Sequence, residues 1–140
     1  MGLLDRLRRR AAAAPVVLDP GDPSLVVLVE ARDAARADSA VLAEAAGRGV
    51  DLAQPLLVRH HLVALPDQAA VARAAELLAQ DGYQVLPAVG APLAVLAVRT
   101  QLLTALSASQ ERSRMAGLAQ RLGGNVAGWD ALGRPGEDPG

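Results

Sequence analysis

The chain has 140 residues, 51% of them apolar and 21% charged, with a formal net charge of −1. That length suits one domain able to bury its own core, and with a near-neutral balance bulk electrostatic capture of nucleic acid is not expected. There is no cysteine, so disulfides, thiolate metal sites, iron–sulfur clusters and a cysteine nucleophile are excluded; one Tyr, one Trp and no Phe leave little on which RNA bases could stack.

The N-terminal stretch Met1–Arg10 sets Leu3, Leu4 and Leu7 against Arg6, Arg8, Arg9 and Arg10. A secretory signal places its charges before a longer apolar run, and Arg6 stands where myristoylation wants Ser or Thr. The stretch reads as an extra, solvated N-terminal helix; the alternative is an amphipathic arm touching a membrane surface or RNA. No segment is an uncharged apolar run long enough to span a bilayer. All fourteen Lys or Arg positions are Arg, which reads as the codon bias of a GC-rich genome.

Val16–Leu18 and Leu25–Val29 are short β-branched runs separated by Asp19-Pro20-Gly21-Asp22-Pro23. They suit a loose hairpin, or a helix capped by Asp22 with Pro23 at its first position, and strand character is favoured. A helix is predicted from about Asp33 to Ala46, stopped by Gly47 and Gly49. Leu56–Leu65 reads as a strand ended by Pro66. Asp67 is the predicted N-cap of a helix over Gln68–Gln80, where Val71, Ala74, Ala75 and Leu78 recur at helical spacing and Gly82 closes the end. Tyr83–Leu86 and Pro92–Thr100 are predicted strands around a turn at Pro87–Gly90. A helix then starts between Thr104 and Ala108, with Ser107 and Gln110 fitting a capping box. Asn125–Trp129 is the last predicted strand, and Gly133–Gly140, made of Gly, Pro and charge, reads as a disordered tail.

From residue 55 the order is β-α-β-β-α-β, which predicts an α+β, ferredoxin-like antiparallel sheet with helices on one face. The extra N-terminal helix and short extended segments precede it. The implied organisation is an N-terminal extension over residues 1–31, a domain over 32–132 and a tail over 133–140. In that topology the first and third strands are central, and Leu56–Leu65 and Pro92–Thr100 are the longest and most apolar.

Few residues carry a chemical signal. His60 and His61 are adjacent on a strand, so they point to opposite faces and cannot share a metal from that strand. With no further His and no Cys, a zinc site is not indicated. His60 shares parity with Val58, Leu62 and Ala64, which suggests a core-facing, hydrogen-bonded imidazole. His61 shares parity with Arg59 and Val63, on the open sheet face, as a solvated residue or a partner contact. Leu57 and Val63, with Leu93, Val95 and Ala97, would give that open face an apolar surface suited to pairing with a second copy. Arg112, Arg114 and Arg121 read as a solvated helix face diluted by Glu111. Trp129 reads as a core plug or hydrogen-bonded anchor. Glycine-rich phosphate loops, a nucleophile elbow and paired carboxylates in a pocket are not indicated.

Four stretches together resemble the regulator of ribonuclease E activity B (RraB) family. They are Gly47-Arg48-Gly49-Val50-Asp51 followed by Arg59-His60-His61-Leu62; Asp81-Gly82-Tyr83-Gln84-Val85; Val98-Arg99-Thr100; and Leu122-Gly123-Gly124-Asn125-Val126-Ala127-Gly128-Trp129. The resemblance covers about 90 of the 140 residues. It implies a bacterial, cytoplasmic, non-enzymatic protein, without cofactor, that binds ribonuclease E and lowers its activity toward RNA. His60, His61, Tyr83, Gly128 and Trp129 are the shared positions, and His60, His61, Tyr83 and Trp129 are the expected partner-binding residues. Catalytic and metal-binding residues are not expected, nor is direct nucleic-acid binding. The alternative reading is an interaction module for an unrelated protein, or a homodimer.

Overall fold

A computed structural model describes residues 16–136. The basic start and the helix predicted within it, and the end of the tail, lie outside the described residues. Eight elements follow in the order β1 (Val26–Ala31), α1 (Asp38–Gly47), β2 (Leu56–Val63), α2 (Gln68–Gln80), β3 (Gln84–Ala88), β4 (Ala91–Gln101), α3 (Ala105–Arg121) and β5 (Asn125–Gly133). They form an α+β fold with a five-stranded antiparallel sheet in the order β1-β5-β2-β4-β3.

β2 and β4 are interior strands, as their apolar content predicts. β5 is interior as well, because β1 pairs along it from Val26↔Gly133 to Ala31↔Trp129. Satisfied on both edges, β5 runs through Gly133, four residues past its predicted end, and Trp129 sits within the strand. The Leu25–Val29 run is therefore strand from Val26 onward, and Asp22 forms a turn instead of a helix cap, its carboxylate accepting from Ser24 N and Oγ. β3, at the other edge, is five residues long and carries Pro87, which an edge strand tolerates.

Helix starts follow local hydrogen bonding. The Asp33 carboxylate accepts from Ala35 N at 2.9 Å and closes a turn, so α1 begins at Asp38, five residues later than predicted. Asp67 caps α2 through Ala70 N at 2.8 Å. The capping box of α3 is Thr104 with Ser107, one turn before the predicted pair, because Ser107 Oγ reaches back to Thr104 N at 3.0 Å.

All three helices cover one face of the sheet. Val41, Leu42 and Ala45 of α1 pack with Val29, Val58, Ala108 and Trp129. Ala74 and Leu78 of α2 and Met115, Leu118 and Ala119 of α3 pack with Leu62, Val95 and Ala97. Each fully buried Leu or Met here removes enough apolar surface from water to contribute about 1.5–3 kcal/mol.

The other face is corrected by the strand register. Leu57, Arg59 and His61 pair with Thr100, Val98 and Leu96, so even-numbered β4 residues share their face. Val95 and Ala97, expected there, lie under the helices instead. The apolar part of this face is Leu57, Val98 and Leu132, covered by Leu25 and packed by Leu18, Leu86 and Leu96. Leu18 N donates to Thr100 Oγ1 at 2.9 Å. The segment before β1 thus lies across the surface that the sequence reading offered for pairing with a second copy.

Candidate functional site

Two polar centres flank β2, one on each face, because consecutive strand residues point in opposite directions.

On the helix-free face, Asp130 of β5 pairs across the ladder with Arg59 of β2. Its side chain is only 2% exposed. Arg59 donates to both carboxylate oxygens, Nε to Oδ1 at 2.7 Å and a terminal guanidinium nitrogen to Oδ2 at 2.8 Å. Arg32, in the loop after β1, donates to Oδ2 at 3.3 Å and to Ala127 O at 3.4 Å, and lies 3.7 Å from Glu30. His61 Nε2 stands 3.2 Å from Asp130 Oδ2 and 3.0 Å from the Arg32 guanidinium. A proton on Nε2 donates to Asp130; a bare Nε2 accepts from Arg32. The ring is thus held between an anion and a cation, with its partner set by the tautomer. Burial alone pushes the Asp130 carboxyl up, but hydrogen bonds and charge from Arg59 and His61 outweigh it and hold it at about 2. The same pair holds the Arg59 guanidinium above its ordinary range, the hydrogen bond to Asp130 being the chief cause.

On the helix side, Glu111 of α3 points at the sheet. It accepts from Tyr83 Oη at 3.1 Å and Gln101 Nε2 at 2.8 Å, and it is ion-paired with Arg99. The Arg99 guanidinium lies 4.2 Å above the Tyr83 ring, a cation–π contact. His60 packs edge-on to Tyr83, with centroids 6.1 Å apart, and its Nε2 is 3.9 Å from Glu111. Burial works to raise the Glu111 carboxyl, and His60, Gln101 and Arg99 overcome it, leaving it at about 2. Burial together with the Glu111 charge pushes the Tyr83 phenol up to about 12. Further along the same face, Trp129 Nε1 donates to Asp38 Oδ1 at 3.1 Å, and Arg112 pairs with the same carboxylate at 2.6 Å.

Of the four expected partner-binding residues, His60, Tyr83 and Trp129 are buried, at 1%, 4% and 1% exposure. His60 and Tyr83 meet in the helix-side centre, and Trp129 lies at the Asp38 pair. Of the four, His61 alone reaches solvent, at 16% side-chain exposure. His60 faces the core as its parity predicts, but both its ring nitrogens lack a hydrogen-bond partner, which corrects the expected bond. Trp129 is both core plug and hydrogen-bonded anchor.

Gly128 has a structural explanation: it holds φ +102°, and a Cβ there would sit 2.2 Å from Ala31 O of β1. Three buried carboxylates, Asp38, Glu111 and Asp130, are not among the residues expected from sequence. Asp130 left a signal, an acid inside the apolar run Trp129–Leu132 with Arg59 on a neighbouring predicted strand. Among the described residues no three of His, Asp and Glu gather as a metal site, and the only side chains hydrogen-bonded to His61 are Arg32 and Asp130. A concavity of about 720 Å³, lined by Leu18, Leu28, Arg48, Asp51 and Arg134 among others, includes none of the four expected residues. No described helix is long and apolar enough to cross a membrane.

The family model described as regulator of ribonuclease activity B matches residues 35–131. No curated protein and no solved structure matches the chain.

Proposed function

This chain belongs to the regulator of ribonuclease activity B family, and on that premise we propose that it is a non-catalytic, cytoplasmic protein that binds ribonuclease E and lowers its cleavage of RNA. The observation that carries this reading is the extent of the family match, which runs from before α1 nearly to the end of β5 and takes in both polar centres except for Arg32. The unit is read as residues 32–132, a ferredoxin-like β-α-β-β-α-β domain. Its strands lie in the order β5-β2-β4-β3, and β1, from the N-terminal extension, is added beside β5.

The docking surface is the helix-free face around His61. The buried Asp130 fixes Arg59, Arg32 and His61 through one carboxylate, so their exposed edges are ordered before a partner arrives and less side-chain entropy is lost on binding. His60, Tyr83 and Trp129 act beneath it as positioning residues: Trp129 precedes Asp130 on β5, and His60 precedes His61 on β2. Arrays of this kind discriminate by charge and geometry and add little chemistry of their own.

The test is a titration into an RNA-cleavage assay with ribonuclease E of the same organism. Near-stoichiometric protein should suppress cleavage, and His61→Ala, folded by circular dichroism, should need a higher concentration for the same suppression. Unchanged cleavage at large excess would overturn the proposal.

A further inference from the structure

The helix layer carries a groove that the His61 surface does not use. It lies between α2 and α3, with a volume of about 280 Å³. Its apolar walls include Leu77 and Leu122, both half-buried, over the buried Met115 and Leu118. Arg73, Arg114 and Arg121, all exposed, line the same groove.

The sequence grouped Arg114 and Arg121 with Arg112 as one solvated stripe, and the structure separates them. Arg112 turns to Asp38. Arg73 pairs with Glu76 at 3.2 Å. Arg114 and Arg121 have no carboxylate within ion-pair distance among the described residues, and Arg121 bonds only the Gly117 carbonyl of its own helix. Asp81 is the one acid lining the groove. With Arg73 neutralised by Glu76, two unpaired cations, Arg114 and Arg121, and the single acid Asp81 stand around an apolar floor in a chain whose overall charge is −1.

We propose that this groove receives an acidic amphipathic segment of a protein partner, its apolar side chains against Leu77 and Leu122 and its carboxylates at Arg114 and Arg121. Charge complementarity selects the occupant. A basic segment would meet the arginines, and a neutral apolar one would leave two cations beside it unpaired and partly desolvated. Such a segment would bind as a helix laid across the groove, its own apolar anchors recurring at helical spacing. The proposal deepens the regulator reading by naming the partner's segment, and its test uses no ribonuclease, so the two can fail separately.

The probe is a fluorescein-labelled synthetic peptide of about 15 residues, with Leu at helical spacing and Glu on the flanking positions. Fluorescence anisotropy against the full chain should show saturable binding that weakens as salt rises. Arg114→Glu with Arg121→Glu should weaken it at least about tenfold, and the double Gln variant should weaken it less. Arg134→Glu, outside the groove, should leave it unchanged. Binding by the charge-reversed double variant equal to that of the parent, tighter binding of a Lys-for-Glu peptide, or absence of binding would overturn the proposal. So would a single-stranded oligoribonucleotide that competes with the peptide and binds more tightly.

Discussion

Asp130→Asn removes one charge and almost no volume at the carboxylate that organises the His61 surface. In the folded chain that carboxyl is held at about 2, against an ordinary 3.8. A shift of nearly two units corresponds to about 2.5 kcal/mol of folding stability at neutral pH. Removing one partner of a buried pair costs up to about 3–5 kcal/mol, and Arg59, at 25% exposure, recovers part of its solvation. The expected loss is therefore about 2–4 kcal/mol in urea unfolding at pH 7. Because the folded pKa is depressed, the contribution is complete above about pH 4 and fades as pH falls through about 2. The gap between parent and variant should hold from pH 8 to 5 and narrow steadily below 4. A loss under about 1 kcal/mol at pH 7, or a gap of the same size at pH 2.5, would refute the claim that this ion-pair array stabilises the fold.

Gly128→Ala should cost about 3 kcal/mol and lower the melting temperature by roughly 10 °C, since a Cβ there meets the Ala31 carbonyl oxygen at 2.2 Å with φ at +102°; an unchanged melt would contradict the close approach of β1. Trp129→Phe should cost about 2 kcal/mol, and about 1 kcal/mol of that should vanish in an Asp38→Ala background, because the lost bond is the one from the indole N–H to Asp38. Tyr83 is the only tyrosine, so an ultraviolet titration reads it alone. Its midpoint should lie near 12, and a midpoint near 10 would contradict its placement beside Glu111.

Much of the fold was legible because its strong signals are local. Asp67 before an apolar period of helical spacing marks α2, and the parity of His60 with Val58 and Leu62 sends its ring to the core. The face of β4 was not legible, because Leu93 to Val98 are apolar on both sides and alternation carries no phase in such a run. The pairing of β1 with β5 joins segments about 100 residues apart, and no local pattern in Val26–Ala31 names that partner. Trp129, Tyr83 and His60 were legible as important positions, but residue type alone could not separate a surface contact from a buried anchor. The carboxylates behind them, Glu111 above all, were hidden in helix patterns that read as solvated charge.

The most direct test of the central claim is a calorimetric titration of ribonuclease E with this chain and with His61→Ala. Saturable binding at a fixed stoichiometry, weakened by the substitution while the fold is kept, is the predicted result. Absence of binding heat, with the two proteins eluting separately in gel filtration, would contradict it.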